Sequence, residues 1–275
     1  MQRFLLIDLN NYFSRFYFAN SENCVERYLK MIRDSISNFG PEYICNLIDG
    51  PTTFRRTLYP DYKSHRPEKP KEYYELLENL KYNLKQFKYP YMSSKSLEAE
   101  DIANLFVKNL PSFEYIILSN DKDLLQLQSE NTHIFDYFNK RNEDGIFQLF
   151  VEKFYTDFDV NSAEQFTLYL SLCGDSSDNI PGVKGIGPKN AIELVTAFEN
   201  YETLEKVIEL GNFTLNNKES KILRKIKNDF KSFKMSYKLV CLFDSEYSFN
   251  LEKYKIWQNP KLITFTIMAE DLLKL

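Results

Sequence analysis

The sequence predicts an α/β fold, a mostly parallel central sheet flanked by helices, followed by a mainly helical region. Three observations carry this. Phe4–Ile7, Tyr43–Ile48 and Tyr115–Leu118 are continuous apolar runs, not alternating ones, as in strands buried on both faces. Helical periodicities separate these runs, and strand–helix–strand alternation implies a doubly wound core. From about residue 151 the pattern turns helical.

The elements follow in chain order. The first run ends in Asp8, and segment 25–39 reads as a helix. The second run ends in Asp49. Segment 54–71 then interleaves Arg55, Arg56, Lys63, Arg66, Lys69 and Lys71 with Phe54, Tyr59 and Tyr62. Pro60, Pro67 and Pro70 exclude a long regular helix there, so an extended loop or short helices are expected. Basic residues can bind phosphate and the aromatics can stack on unpaired bases. Tyr73, Leu76, Leu77, Leu80, Leu84 and Phe87 then share one helical face. Leu97-Glu-Ala-Glu-Asp101 opens a helix over 97–110, and the third run leads through Ser119-Asn120 into Asp121 and Asp123.

In the helical region, Gly174-Asp-Ser-Ser-Asp-Asn179 precedes the glycine-rich turn Gly182–Gly187. Pro188 then opens a helix over 189–199. Segment 218–234 reads as one strongly basic helix, and 243–275 has no assignable pattern. The expected division is a core over 1–150, carrying a basic arch at about 50–88. A helical part over 151–275, with a hairpin turn at 180–199, would pack closely on it.

The chain has 275 residues and a net charge of −4, with 43% hydrophobic and 27% charged residues, which is a globular composition. No run approaches the ~20 apolar residues of a membrane span. Asp8 and Asn10 interrupt the N-terminal apolar run, so no signal-peptide layout is present and a cytoplasmic setting is expected, in a bacterium or a phage-infected host. Cys24, Cys45, Cys173 and Cys241 form no paired spacing, and His65 and His133 are the two histidines. A disulfide framework, a zinc knuckle and a histidine-rich centre are therefore excluded. Any metal must be held by carboxylates, which suit hard cations such as magnesium or manganese.

Open parallel sheets bind ligands beyond the carboxyl ends of their strands, where Asp8, Asp49 and the Asp121/Asp123 pair would meet. Helix capping explains any one of these acids, but three strands ending alike exceed capping. Glu98 and Asp101 share a helix face, and Glu100 can join them in the splayed first turn. Acids in a first turn also complement the helix dipole. With Asp175 and Asp178 the set numbers eight, and eight converging carboxylates need cations among them to stay ionised. Setting them aside leaves 31 acids against 35 bases, so a net acidic chain can still show a basic surface to nucleic acid.

Together these motifs resemble the 5′-nuclease family: the 5′→3′ exonuclease domain of bacterial DNA polymerase I and standalone phage and bacterial flap endonucleases. Gly174-Asp-Ser-Ser-Asp-Asn-Ile-Pro-Gly-Val183 resembles the polymerase I signature. Phe54-Arg55 with Tyr62-Lys63-Ser-His-Arg66-Pro67 resembles its basic loop, Leu97–Asp101 its acidic helix start and Asp121-Lys-Asp123 its third-strand acids. The likeness runs over about residues 3–200. It implies that Asp8, Asp49, Glu98, Glu100 and Asp121 lie nearer one of two magnesium or manganese ions. Asp123, Asp175 and Asp178 would lie nearer the other, with Asp101 an additional acid close by. It implies that Lys63 and Arg66 act on the scissile phosphate beneath a helical arch, with Tyr62 a stacking residue. Arg15, Arg55, Gly182, Lys184, Gly185, Gly187 and Lys189 are implied DNA contacts, and the 182–187 turn a holder of potassium.

Two positions depart from the bacterial pattern. Glu100 stands where Asp is usual, and Leu9 where Gly follows the first Asp. The resemblance implies a structure-specific 5′ nuclease, a monomer, acting on DNA with a 5′ flap, nick or free 5′ end and leaving 5′-phosphates. It would serve replication or repair, alone or with a separate DNA polymerase. A non-catalytic junction binder on the same fold, and a nuclease directed at RNA or primers, remain the alternatives.

Overall fold

The structure, a computed structural model, describes residues 1–138, 158, 160–198, 200–211 and 217–256, with backbone alone for 217–220. The three apolar runs form the middle of a five-stranded, all-parallel sheet. Its strands are β1 (Gln2–Asp8), β2 (Tyr43–Ile48), β3 (Tyr91–Ser93), β4 (Phe113–Leu118) and β5 (Thr132–Phe135), in the order β3-β2-β1-β4-β5. The short edge strands β3 and β5 were not among the expected elements. At three or four residues each, they carry too little pattern to be read.

Alternate side chains leave the sheet on opposite faces, and both faces are covered. Leu5, Ile7, Ile44, Ile48, Ile116 and Leu118 pack under α1 (Leu9–Ala19), α2 (Cys24–Phe39) and α4 (Lys71–Gln86). Phe4, Leu6, Cys45, Leu47, Tyr115 and Ile117 face α5 (Ala99–Asn109) and share one core with the helical region. Each such Leu, Ile or Phe contributes roughly 1.5–3 kcal/mol on burial. This two-sided cover is why the strands read as unbroken apolar runs. The sheet order reverses beside β1, with β2 and β3 on one side and β4 and β5 on the other. A crevice at the carboxyl end of β1 follows.

The basic arch segment is mostly exposed, with Arg55 and Tyr62 turned inward. It forms the short helix α3 (Phe54–Leu58) and a series of turns before α4, whose first turn follows Pro70. Among the described residues, the helical region holds α6 (Ala163–Cys173), α7 (Pro188–Ala197), α8 (Tyr201–Leu210), α9 (Asn217–Asn228) and α10 (Phe230–Val240). The single basic helix expected over 218–234 is thus two helices. They part at Asp229, whose backbone leaves helical geometry (φ −120°, ψ 36°) and whose carboxylate accepts the Lys184 N–H at 3.3 Å.

Part of the unassigned C-terminal segment proves to be a strap. The Phe243 carbonyl accepts from Asn104 Nδ2, and Tyr254 and Ile256 exchange backbone bonds with Ile44 and Glu42 beside β2. The junction expected at 150/151 and the stretch 257–275 lie outside the described residues. Among the described residues, no helix is long and apolar enough to cross a membrane.

Candidate active site

The acids meet at the crevice because each follows a strand or opens a helix there. Asp8 closes β1 and caps α1: its Oδ1 accepts the Asn11 N–H at 3.0 Å and its Oδ2 the Ser119 hydroxyl at 2.9 Å. Asp49 follows β2, and its Oδ1 accepts the Ala99 N–H at 2.9 Å, locking the strand end to the first turn of α5. Glu98 caps α5, with Glu100 inside its first turn. Asp121 follows β4 and caps a 3₁₀ turn over Lys122–Leu127, accepting the Asp123 N–H at 3.0 Å. Asp175 and Asp178 arrive from the opposite side, in the tight loop after α6. Backbone bonds between Asp175 and Ile180 close that loop.

Two groups of carboxylates result, with one oxygen of each residue lying within 4.8 Å of the others in its group. One is Glu98, Glu100 and Asp101; the other is Asp123, Asp175 and Asp178. Burial raises the Asp8 carboxyl to about 8, with the Asp49 and Asp121 charges adding to it. Burial likewise pushes Asp49, Glu100, Asp121 and Asp123 above the ordinary carboxylate range, reinforced by neighbouring acids. Among the described residues, Asp123 Oδ1 is buried without a hydrogen-bond partner. An all-oxygen donor set with a buried orphan oxygen and mutually repelling carboxyls fits hard divalent cations.

Cationic side chains already lean into this cluster. Lys63 Nζ is 2.7 Å from Glu98 Oε1 and 3.4 Å from Asp178 Oδ2. Burial opposes its charge, but Glu100 and Glu98 outweigh that and hold the ammonium well above its usual pKa. Its backbone is left-handed (φ 52°), a strained conformation for a lysine, fixed by its N–H on the Asp178 carbonyl at 2.9 Å. Arg66 Nη2 is 2.6 Å from Asp178 Oδ1. Lys122 Nζ is 2.7 Å from Asp175 Oδ2, while Ser177 donates twice to Asp175 Oδ1. Burial would raise Glu98 and Asp175; their cationic and hydroxyl partners more than reverse it, so both lie below the ordinary range.

Three expected DNA contacts need correction, because they are buried and engaged. Tyr62 is 1% exposed, its hydroxyl 2.8 Å from Glu98 Oε2 and 3.0 Å from Asp178 Oδ2, so its ring has no face for a base. Arg55 is 2% exposed, with every guanidinium N–H on a protein acceptor. The Gly182 N–H donates to Ser236 Oγ at 3.0 Å in the interior and is closed to phosphate. Asp101, the additional acid, spends its oxygens on Arg55 and on the N–H groups of Glu98 and Phe243.

The remaining expected contacts are accessible. Lys184, Gly185, Gly187 and Lys189 are exposed along the hairpin turn, and a side chain at Gly187 would meet open space. The Gly185 carbonyl accepts Lys225 Nζ at 2.9 Å. Arg15 lies across the Phe138 ring and 3.2 Å from Asp136 Oδ1, with 36% of its side chain exposed. Sequence reasoning missed Ser119, which donates to Asp8 and accepts the Asp121 N–H at 3.0 Å, and Asn10, which accepts the Asp49 N–H. It also missed Lys122. All three stand within two residues of a predicted acid, and that proximity was the available signal.

Known proteins share this arrangement of chain. The flap endonuclease Xni of Shewanella halifaxensis is 32% identical over 271 residues, covering 94% of this chain and all of that one. The solved D15 protein of T5, co-crystallised with metal ions, superposes with a TM-score of 0.74 at 21% identity, over 88% of this chain and 90% of that one. The catalytic core of Rad2 in complex with DNA substrate gives a TM-score of 0.56 at 18% identity, over 92% and 83%. At those identities the two structures speak for the fold. Residues 3–156 match the model of the 5′-3′ exonuclease N-terminal, resolvase-like domain, and 161–261 that of its C-terminal SAM fold. The chain belongs to the 5′-3′ exonuclease family.

Proposed function

We propose that this nuclease hydrolyses phosphodiesters of DNA at 5′ flaps, nicks and free 5′ ends, leaving 5′-phosphates, with two magnesium or manganese ions at the carboxylate cluster. The observation that carries the reading is the cluster itself. Five of its carboxyls are pushed upward by burial and mutual repulsion, and one buried oxygen has no hydrogen-bond partner among the described residues. Such a set opposes folding unless cations enter it, and a protein that only bound junctions would have no use for it. The crystallised D15 protein with its metal ions and the Rad2 core with its DNA substrate fit this reading.

Asp8, Asp49, Glu98, Glu100 and Asp121 would hold one ion, and Asp123, Asp175 and Asp178 the other. When bound, the ions supply Lewis acidity, making a water nucleophilic and neutralising charge on the departing oxygen. The protein's own share is positioning and charge. Lys63 and Arg66 stand beside the same carboxylates, so a phosphate drawn there receives their N–H groups as its charge develops. The strained Lys63 backbone and its contacts with Asp178 keep that ammonium aimed at the cluster. The turn from Lys184 to Gly187, with Lys189 in the first turn of α7, suits a duplex phosphate, which positions DNA without reading its sequence. We place a monovalent cation such as potassium at the same turn. The working form is a monomer acting on ends left by a separate DNA polymerase.

A 5′-labelled flap duplex with magnesium, a chelator control and Asp175→Asn tests this. Cleavage near the junction, lost in both controls, is expected. Tight binding without cleavage in magnesium and manganese would favour the junction binder instead.

A further inference from the structure

Arg55 lies in the segment that the sequence assigns to nucleic acid, yet its guanidinium has nothing left to offer a phosphate. Nε donates to the Leu239 carbonyl at 2.7 Å. Nη1 donates to Glu98 Oε2 at 3.1 Å and to Asp101 Oδ2 at 2.6 Å. Nη2 donates to Asp101 Oδ1 at 2.8 Å and to the Cys241 carbonyl at 3.1 Å. Five donors meet five acceptors, which is the full capacity of the side chain. Asp101 is as fully committed. It is 0% exposed, and besides Arg55 it accepts the Glu98 N–H at 3.1 Å and the Phe243 N–H at 2.9 Å. The pair therefore joins three segments: α3 at the arch base, the first turn of α5, and the chain leaving α10.

The consequence falls on Glu98, whose two oxygens have different company. Oε2 is held from within, by Arg55 and by the Tyr62 hydroxyl at 2.8 Å. Among the described residues, Oε1 accepts from Lys63 Nζ alone, at 2.7 Å, and that ammonium also lies 3.4 Å from Asp178 Oδ2. A guanidinium fixed at five points is a rigid partner, whereas an ammonium on a four-carbon stem can withdraw. A carboxylate gripped at one oxygen and yielding at the other is oriented before any ion arrives. Groups that orient a metal ligand from behind typically govern affinity by 10–100-fold.

We propose that Arg55, paired with Asp101, is the positioning residue of the metal centre: it fixes Glu98 so that Oε1 is presented to a divalent ion. Through the Leu239 and Cys241 carbonyls the same grip couples the ion site to the end of α10. This rests on the metal reading given above. It assigns Arg55 a role distinct from touching DNA and from merely joining helices.

The test compares wild type with Arg55→Lys and with the double variant Arg55→Met/Asp101→Leu, which replaces a buried ion pair by apolar side chains of similar bulk. Removing both partners avoids the stranded charge that a single truncation leaves. Calorimetric Mn²⁺ titration without DNA, thermal melting, and flap-duplex binding in chelator are measured on each. The double variant should melt cooperatively, lose about 10–100-fold in Mn²⁺ affinity at one site, and bind the flap duplex within about twofold of wild type. If it does not fold, Arg55→Lys carries the test. It keeps the charge beside Asp101 but cannot span five acceptors, so the same Mn²⁺ loss is expected. Unchanged Mn²⁺ affinity in a folded variant would overturn the proposal and leave a structural ion pair. Weakened flap binding with intact Mn²⁺ affinity would overturn it in favour of a DNA contact. Failure of the wild type to take up Mn²⁺ would overturn the metal reading itself, and that result is visible before any variant is compared.

Discussion

Lys122 Nζ lies 2.7 Å from Asp175 Oδ2, so the residue between Asp121 and Asp123 serves as counter-ion to an acid from the far side of the cluster. Burial works against the Lys122 charge, and Asp175 more than restores it, raising the ammonium above its usual pKa. A divalent ion among Asp123, Asp175 and Asp178 must share the acids with this cation. Lys122→Met should therefore lower the melting temperature of the metal-free protein and raise its Mn²⁺ affinity several-fold. Melting in chelator and a calorimetric titration check both. A fall in Mn²⁺ affinity would instead make Lys122 a support for Asp175 geometry.

The raised acids make stability depend on pH with a definite sign. An aspartate with an ordinary pKa of 3.8 is ionised in the unfolded chain above that pH, while folded Asp8 holds its proton up to about 8. Between these values the folded state binds more protons than the unfolded one, so stability falls as pH rises. Asp49, Glu100, Asp121 and Asp123 shift in the same direction; Glu98 and Asp175 act oppositely, as pH falls below the ordinary carboxylate range. In chelator, melting should occur at lower temperature at about pH 8.5 than at about pH 5.5. Saturating magnesium should abolish or reverse the difference, because metal binding expels those protons.

The legible parts of this molecule were those with a repeated pattern. Strands buried on both faces announce themselves as Phe4–Ile7 and Tyr43–Ile48, and the acids at their ends sit where an open parallel sheet must place a site. What sequence could not separate was charge facing solvent from charge turned inward. Arg55 and Lys63 occur in the same basic segment, yet one is sealed against Asp101 and the other leans into the acidic cluster. That difference depends on acceptors from residues 239 and 241, which no local pattern connects to residue 55. Tyr62 is hidden from local pattern for the same reason: its partners Glu98 and Asp178 are distant in sequence.

Lys63→Ala should reduce single-turnover cleavage about 100-fold, the scale for losing a charged donor to developing phosphate charge. Flap-duplex binding should change little, because the exposed turn residues Lys184 and Lys189 stand on a separate segment. Rapid-quench kinetics and binding isotherms in chelator are the two measurements. Equal losses in both would show that Lys63 grips DNA throughout instead of acting on the reacting phosphate.

Two glycines frame the Asp175–Asp178 loop. Gly174 (φ 74°) and Gly182 (φ 64°) are both left-handed and stand back to back. A Cβ on Gly174 would lie 2.3 Å from the Ile180 carbonyl oxygen, and one on Gly182 would lie 2.4 Å from the Gly174 nitrogen. Backbone is on the receiving end in both cases, so no side chain can swing aside. Gly174→Ala and Gly182→Ala should each cost ~2 kcal/mol or more and displace Asp175 and Asp178. Thermal melts should show the loss, with Mn²⁺ binding weakened at one site even below the melting range. Gly187→Ala is the internal contrast, because its Cβ meets nothing within 4 Å among the described residues. That variant should melt like wild type and, if duplex phosphate approaches the turn closely, bind flap DNA several-fold more weakly. A normal melt for Gly174→Ala would show that the loop can open without disturbing the fold.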